Sequence, residues 1–131
     1  MRDKLVIGYC RISTSRQNLD RQERNILARY PDAVIYKEIY TGTKISGRKV
    51  WNTVYNLVCK EVDKKDITIV FDSVSRMSRD AEEGFELYKD LYNRGVRLVF
   101  LKEPHINTDT YKEQLNKQIQ IDARLGDEAT T

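Results

Sequence analysis

Short apolar runs suited to strands alternate along this chain with longer segments whose apolar residues recur at helical spacing. Leu5 to Ile12 predicts the first strand, and Leu19 to Tyr30 a helix with Leu19, Ile26, Leu27 and Tyr30 on one face before Pro31 stops it. Ala33 to Tyr36 reads as a second strand, and Thr41 to Gly47, rich in glycine and hydroxyls, as a mobile loop. A helix from Lys49 to about Val62 buries Trp51, Val54, Leu57 and Val58. Ile67 to Phe71 is continuously apolar and β-branched, as in a strand covered on both faces. The next helix is expected to start at Ser78 as N-cap, bury Phe85, Tyr88 and Leu91, and end before Gly95, with Val96 to Leu101 as a fourth strand. The fold class is therefore α/β, a mostly parallel four- to five-stranded sheet flanked by helices, with its site at the carboxyl ends of strands.

Strand alternation sharpens the end of the first strand. Tyr9, Arg11 and Ser13 should share one face, while Gly8, Cys10 and Ile12 line the other. A phenol, a permanent cation and a hydroxyl then converge, and a serine beside an arginine suits phosphoryl transfer better than acyl transfer. A second basic group, Arg76 and Arg79, sits between the third strand and the following helix. Where that turn is helical the two project together, and with Arg11 and Arg48 they could surround a phosphodiester. The plainer account pairs Arg76 and Arg79 with Asp80, Glu82 or Glu83 across one turn.

The 131 residues suit one domain with a core of its own, and the net charge of +3 permits nucleic-acid contact without demanding it. Two cysteines, Cys10 and Cys59, give no disulfide framework and fit a reducing cytoplasm. No leader and no membrane-spanning stretch is expected. The single histidine, His105, follows Pro104 in a loop and reads as a surface residue, so neither a multi-histidine metal site nor a serine–histidine relay is expected. From Asn107 the pattern changes, and Tyr111, Leu115 and Ile119 suggest a helix closing near Gly126.

Taken in order, these motifs resemble the serine recombinases of the resolvase/invertase family. Tyr9-Cys10-Arg11-Ile12-Ser13-Thr14 matches that family's opening, Gln17 and then Leu19-Asp20-Arg21-Gln22 follow at its spacing, Gly42 to Arg48 forms its loop, and Arg76 to Arg79 its paired arginines. The resemblance implies that Ser13 attacks a DNA phosphodiester to give a 5′-phosphoserine link. It implies further that Arg11, Arg76 and Arg79 stabilise the transition state, that Arg48, Gln17 and Gln22 position the phosphate and loop, and that Tyr9 orients the site. No cofactor and no metal is implied. The partners implied are double-stranded DNA and further copies of the parent protein, as a homodimer and a synaptic tetramer, with no membrane. Residues 1–106 would form the catalytic domain and residues 107–131 a helical extension cut before the interface helix and the DNA-binding domain, leaving the fragment inactive by itself.

Three positions depart from the family pattern. Thr41 stands where serine precedes the loop glycine, Ser75 stands where aspartate precedes the first paired arginine, and the family's long interface helix and DNA-binding domain are not expected within these residues. Asp72, three residues before Ser75, sits at a different point on the strand exit, so proton transfer has no assigned carrier. Two other readings stay open. Cys10 to Arg16 also fits the cysteine–five residues–arginine spacing of tyrosine phosphatases, though alternation puts Cys10 on the wrong face and no glycine relaxes the loop. The chain could alternatively be a non-catalytic α/β oligomerisation module whose hydroxyls only cap helices.

Overall fold

Each apolar run becomes a strand, and all pair in one direction because a helix returns the chain to the same edge every time. The computed structural model describes residues 2–13, 16–41, 44–113 and 117, without the side chains of Arg16 and Gln17. Its strands are β1 (Asp3–Ile12), β2 (Val34–Ile39), β3 (Lys65–Phe71) and β4 (Arg97–Phe100), in the order β2-β1-β3-β4 with every pairing parallel. Its helices are α1 (Arg16–Arg29), α2 (Lys49–Glu61), α3 (Val74–Met77) and α4 (Ala81–Asn93). The expected sheet is thus observed, with four strands among the described residues.

The alternation in β1 sorts two cores. Ile7 and Tyr9 face α2 and α4 in a cluster with Trp51, Val54, Val58, Phe71, Leu91 and Phe100. Cys10 and Ile12 face α1 with Leu19, Ile26, Val70 and Val99. From β1 the chain steps outward to β2 and then returns past β1 to β3, so the order reverses between β1 and β3. Their carboxyl ends flank the crevice where a doubly wound sheet binds ligands.

Several boundaries differ from the sequence expectation for identifiable reasons. Helix α1 begins at Arg16, three residues early, and β2 runs on to Ile39 because Glu38 finds partners inside the protein. Helix α4 is capped by Asp80, not Ser78: the Asp80 carboxylate accepts from Glu82 N (2.9 Å) and Glu83 N (3.2 Å). Ser78 instead follows α3 in extended conformation, and its hydroxyl donates to Asp80 O (2.8 Å). The start of α4 brings Gly84 rather than Phe85 inward. A Cβ on Gly84 would lie 2.9 Å from Ser78 Cβ, and Phe85, expected in the core, is 63% exposed. The far end of α4 closes as anticipated, with Gly95 at φ 88° and Val96 N donating to Leu91 O (3.0 Å).

The loop before α2 is more ordered than its composition implies. Ile45–Gly47 forms a 3-10 turn with Ile45 buried, while Gly42 and Thr43 lie outside the described residues. At the other end of the chain helical backbone runs over residues 108–113, and Leu115 and Ile119 of the expected helix lie outside the described residues. No described helix is long and apolar enough to cross a membrane.

Candidate active site

Ser13 follows the last residue of β1 and is half-buried. The preceding carbonyl, Ile12 O, accepts from Tyr40 N (2.9 Å), which ties this strand exit to the start of the Thr41–Gly47 loop. Two residues back, Arg11 is fully buried. Its guanidinium donates to Arg76 O (3.2 Å) and to Ser75 O, and its backbone is held by Gln22. Gln22 Oε1 accepts from Arg11 N (3.1 Å) and Gln22 Nε2 donates to Arg11 O (3.0 Å). Beyond Tyr9 the β3 side of β1 has no strand partner. Gln22 supplies one from α1. It therefore acts on Arg11, where the resemblance had it on the phosphate and loop.

Arg48 is also fully buried and donates through Nη1 to Met77 O (2.5 Å). Arg11 and Arg48 thus grip three successive carbonyls, those of Ser75, Arg76 and Met77. No carboxylate lies within ion-pair distance of either guanidinium among the described residues. Arg11 Nη1, Arg48 Nε and Nη2, and Arg76 Nε are buried without a hydrogen-bond partner. Burial first, then the charges of Arg48 and Arg79, push Arg11 down to about 10. Native proteins seldom leave buried donors idle, and a cluster of them calls for an acceptor from outside.

Arg76 and Arg79 do not share the helical turn expected of them. Helix α3 ends at Met77, Ser78 is extended, and Arg79 lies beyond it, exposed, while Arg76 is half-buried. Neither forms an ion pair with Asp80, Glu82 or Glu83 among the described residues, since Asp80 is engaged as a cap. Ser75, in place of the family's aspartate, is exposed, with its hydroxyl 2.9 Å from that of Ser73. Asp72 does not replace it. Its carboxylate is buried, accepts from Asn25 Nδ2 of α1 (2.9 Å) and lies 3.2 Å from Lys102 Nζ. The expected contact of Gln17 rests on a side chain outside the described residues. No three of His, Cys, Asp or Glu gather in a metal-binding arrangement among the described residues. A cavity of about 1110 Å³ along α4 touches Arg79 but none of the other candidate residues.

Tyr9 supports the site from below. Fully buried against Trp51 and Phe71, it donates to Glu38 Oε1 (2.6 Å). Glu38 is a residue that sequence reasoning missed. It stands opposite Arg11 in the β1–β2 register and accepts also from Val50 N and Trp51 N (2.9 Å each), two of the free amides in the first turn of α2. One carboxylate thereby fixes the start of the helix that Arg48 leads. Burial and Glu38 together hold the Tyr9 hydroxyl protonated well above its ordinary range. The signal was the period of two: Tyr36 and Glu38 continue the face that Ile7 and Tyr9 occupy across the register.

Cys10 lies on the opposite face, buried, and burial pushes its thiol up to about 12. A nucleophilic cysteine needs the reverse. The phosphatase reading is therefore not favoured.

A family model described as "Resolvase, N terminal domain" matches residues 6–125. A resolvase/recombinase of Pseudomonas putida is 31% identical over 98 residues, covering 75% of this chain and 51% of that protein. The transposon Tn3 resolvase of Escherichia coli is 30% identical over 104 residues, covering 79% and 53%. The chain thus spans about half the length of these curated relatives. Among solved structures, the N-terminal catalytic domain of TP901-1 integrase superposes with a TM-score of 0.66 at 19% identity, covering 98% of this chain and 99% of that one. A serine recombinase from Sulfolobus solfataricus gives 0.62 at 18% identity, covering 76% and 69%. At such identities the last two speak for the fold.

Proposed function

This chain belongs to the resolvase family, and from that membership we propose that it is the catalytic domain of a site-specific serine recombinase acting on double-stranded DNA. Ser13 Oγ attacks the backbone phosphorus, forming a phosphoserine bond to the 5′ end as the bond to the 3′ oxygen breaks and a 3′ hydroxyl leaves. Attack by a 3′ hydroxyl on that phosphoserine restores the backbone, so no outside energy source is needed. Arg11, Arg76 and Arg79 carry the charge that builds on the phosphoryl oxygens. Arg48 and Gln17 position the phosphate, while Gln22 and Tyr9 hold the strand and helix from which the arginines project.

The observation that carries this reading is the set of buried guanidinium donors with no partner, contributed by Arg11 near the end of β1, by Arg48 and by Arg76. A phosphodiester supplies acceptors of the right charge and geometry for them. A non-catalytic module has no use for such a cluster, whose burial only destabilises it. In this proposal residues 1–106 are the catalytic unit and residues 107–131 open a helical extension toward the parent protein's interface and DNA-reading parts. The parent protein works as a dimer that pairs into a tetramer.

The test is covalent capture. The complete protein, incubated with supercoiled DNA carrying its recombination site and quenched with detergent, should yield a protein–DNA adduct whose phosphate maps to Ser13 by mass spectrometry. The adduct should vanish in Ser13→Ala and persist in Cys10→Ala. An adduct on any other residue, or one that survives Ser13→Ala, would remove Ser13 from its role.

A further inference from the structure

Arg48 enters the site on a stem, the Ile45–Gly47 turn, which belongs by sequence and packing to α2. Arg48 N closes the turn on Ile45 O (3.0 Å), and Asn52 of α2 donates to Ser46 O (3.1 Å). Arg11 stands on β1, while Arg76 and Arg79 belong to α3 and to the entry of α4. Besides β1, two bodies therefore carry cations that must meet one phosphate. One is the stem with α2, and the other is the segment from Arg76 to α4.

The two bodies meet through few polar contacts. Arg48 Nη1 donates to Met77 O, and two turns farther along α2 Tyr55 Oη donates to Asp90 Oδ2 (2.6 Å). The third contact is Glu83. From the first turn of α4, Glu83 Oε1 accepts from Ile45 N (2.7 Å), 38 residues away in sequence. A closed circuit results. It runs from Arg48 to Met77 O, through Ser78 Oγ to Asp80, from Asp80 Oδ1 to Glu83 N, from Glu83 Oε1 to Ile45 N, and from Ile45 O back to Arg48 N.

We propose that Glu83 is a positioning residue that sets Arg48 in register with Arg76 and Arg79. The argument turns on which link survives substrate. A phosphate engaging the free Arg48 Nε and Nη2 draws the guanidinium toward itself and so strains the single Nη1 bond to Met77 O. The Glu83 link passes through the Ile45 backbone and does not use the Arg48 side chain at all. It is then the remaining polar tie between the stem and α4 at the active-site end. Tyr55 and Asp90 sit too far along the helices to fix the angle of the stem. Only one carboxylate oxygen is engaged, and an amide oxygen can accept the same bond.

This inference rests on the recombinase reading, and the test separates the two. In the complete protein, Glu83→Ala should slow Ser13 adduct formation under saturating protein by about 10- to 100-fold, with DNA affinity changed less than about 3-fold. Glu83→Gln should recover most of the rate, and Glu82→Ala, whose exposed side chain makes no hydrogen bond to the stem, should match wild type. In parallel, amide exchange at Ile45 in the 131-residue chain should quicken in Glu83→Ala and not in Glu83→Gln. Unchanged Ile45 exchange in Glu83→Ala, or a glutamine variant as slow as the alanine one, overturns the positioning role. A wild-type protein that forms no adduct overturns the recombinase reading, and the Ile45 exchange still decides whether Glu83 holds the stem.

Discussion

Glu38 offers the sharpest test of how the site is held. Its Oε1 accepts from Tyr9 Oη (2.6 Å) and Trp51 N (2.9 Å), and its Oε2 from Val50 N (2.9 Å), in a setting only 4% exposed. In Glu38→Gln an amide oxygen placed at Oε1 keeps two of these bonds and turns an NH₂ group toward Val50 N–H, donor against donor. A hydrogen bond to a charged group is worth about 1.5–3 kcal/mol, so the glutamine variant should lose about 2 kcal/mol. In Glu38→Ala three donors lose their acceptor at about 1–3 kcal/mol each, a loss of at least about 3 kcal/mol from a total near 5–15. Tyr9→Phe removes one bond to the same carboxylate and should lose about 1.5–3 kcal/mol. Urea unfolding of the 131-residue chain reads these directly. With a slope near 2 kcal/mol/M the glutamine midpoint should fall by about 1 M and the alanine midpoint by at least about 1.5 M. The double variant Tyr9→Phe/Glu38→Gln should lose less than the sum of its parts, because the two share a bond. A glutamine midpoint within about 0.3 M of wild type, or strict additivity, would mean that Glu38 does not organise this corner.

Two further outcomes follow from burial. The Cys10 thiol, ordinarily near 9.0, is pushed up to about 12, so the unfolded chain releases this proton first as pH rises. The stability gained by keeping it neutral is complete below about pH 9 and drains away between 9 and 12. Tyr9, also raised, acts in the same direction. Urea midpoints of Cys10→Ala should therefore decline less steeply than wild type from pH 8.5 to 11, and parallel declines would refute the assignment. The phase of α4 is tested by a pair. Leu91→Ala should cost about 2–5 kcal/mol, whereas Phe85→Ser, on the 63%-exposed side, should stay within about 0.5 kcal/mol. A large loss at Phe85 would place it in the core after all.

The strands and the first site were legible because both depend on local periodicity. Alternation in β1 alone separated Tyr9 and Arg11 from Cys10, and the structure keeps that division. What the sequence concealed depends on partners far along the chain. Glu38 sits in Tyr36-Lys37-Glu38, where two charges read as the end of the strand, and the amides of α2 with the Tyr9 hydroxyl explain why it continues. Gln22 matched the family spacing, yet its partner is the backbone of Arg11, eleven residues back, which no spacing reveals. Around Ser78 and Asp80 two good caps lie two residues apart. Asp80 takes the role, Gly84 then lies against Ser78 and Phe85 is turned out of the core, none of which the residue types at the two caps decide.

The choice of partners for Arg11 and Arg48 has a consequence for chemistry. Carboxylates would hold two buried guanidiniums more firmly, but they would also neutralise them and compete with an incoming phosphate. The carbonyls of Ser75, Arg76 and Met77 orient the forks while leaving the net charge in place. The electrostatic strain shows in Arg11, which burial and the neighbouring arginines bring down from its ordinary range to about 10. With the folded value below the unfolded one, its charge weakens the fold at every pH below about 10, neutral pH included. An anion among the arginines reverses the sign of that interaction, because it favours the charged form that burial disfavours. The site is thus least comfortable when empty. The same arrangement that costs the free domain stability makes the arriving phosphodiester, and still more the extra negative charge of its transition state, the group that relieves it.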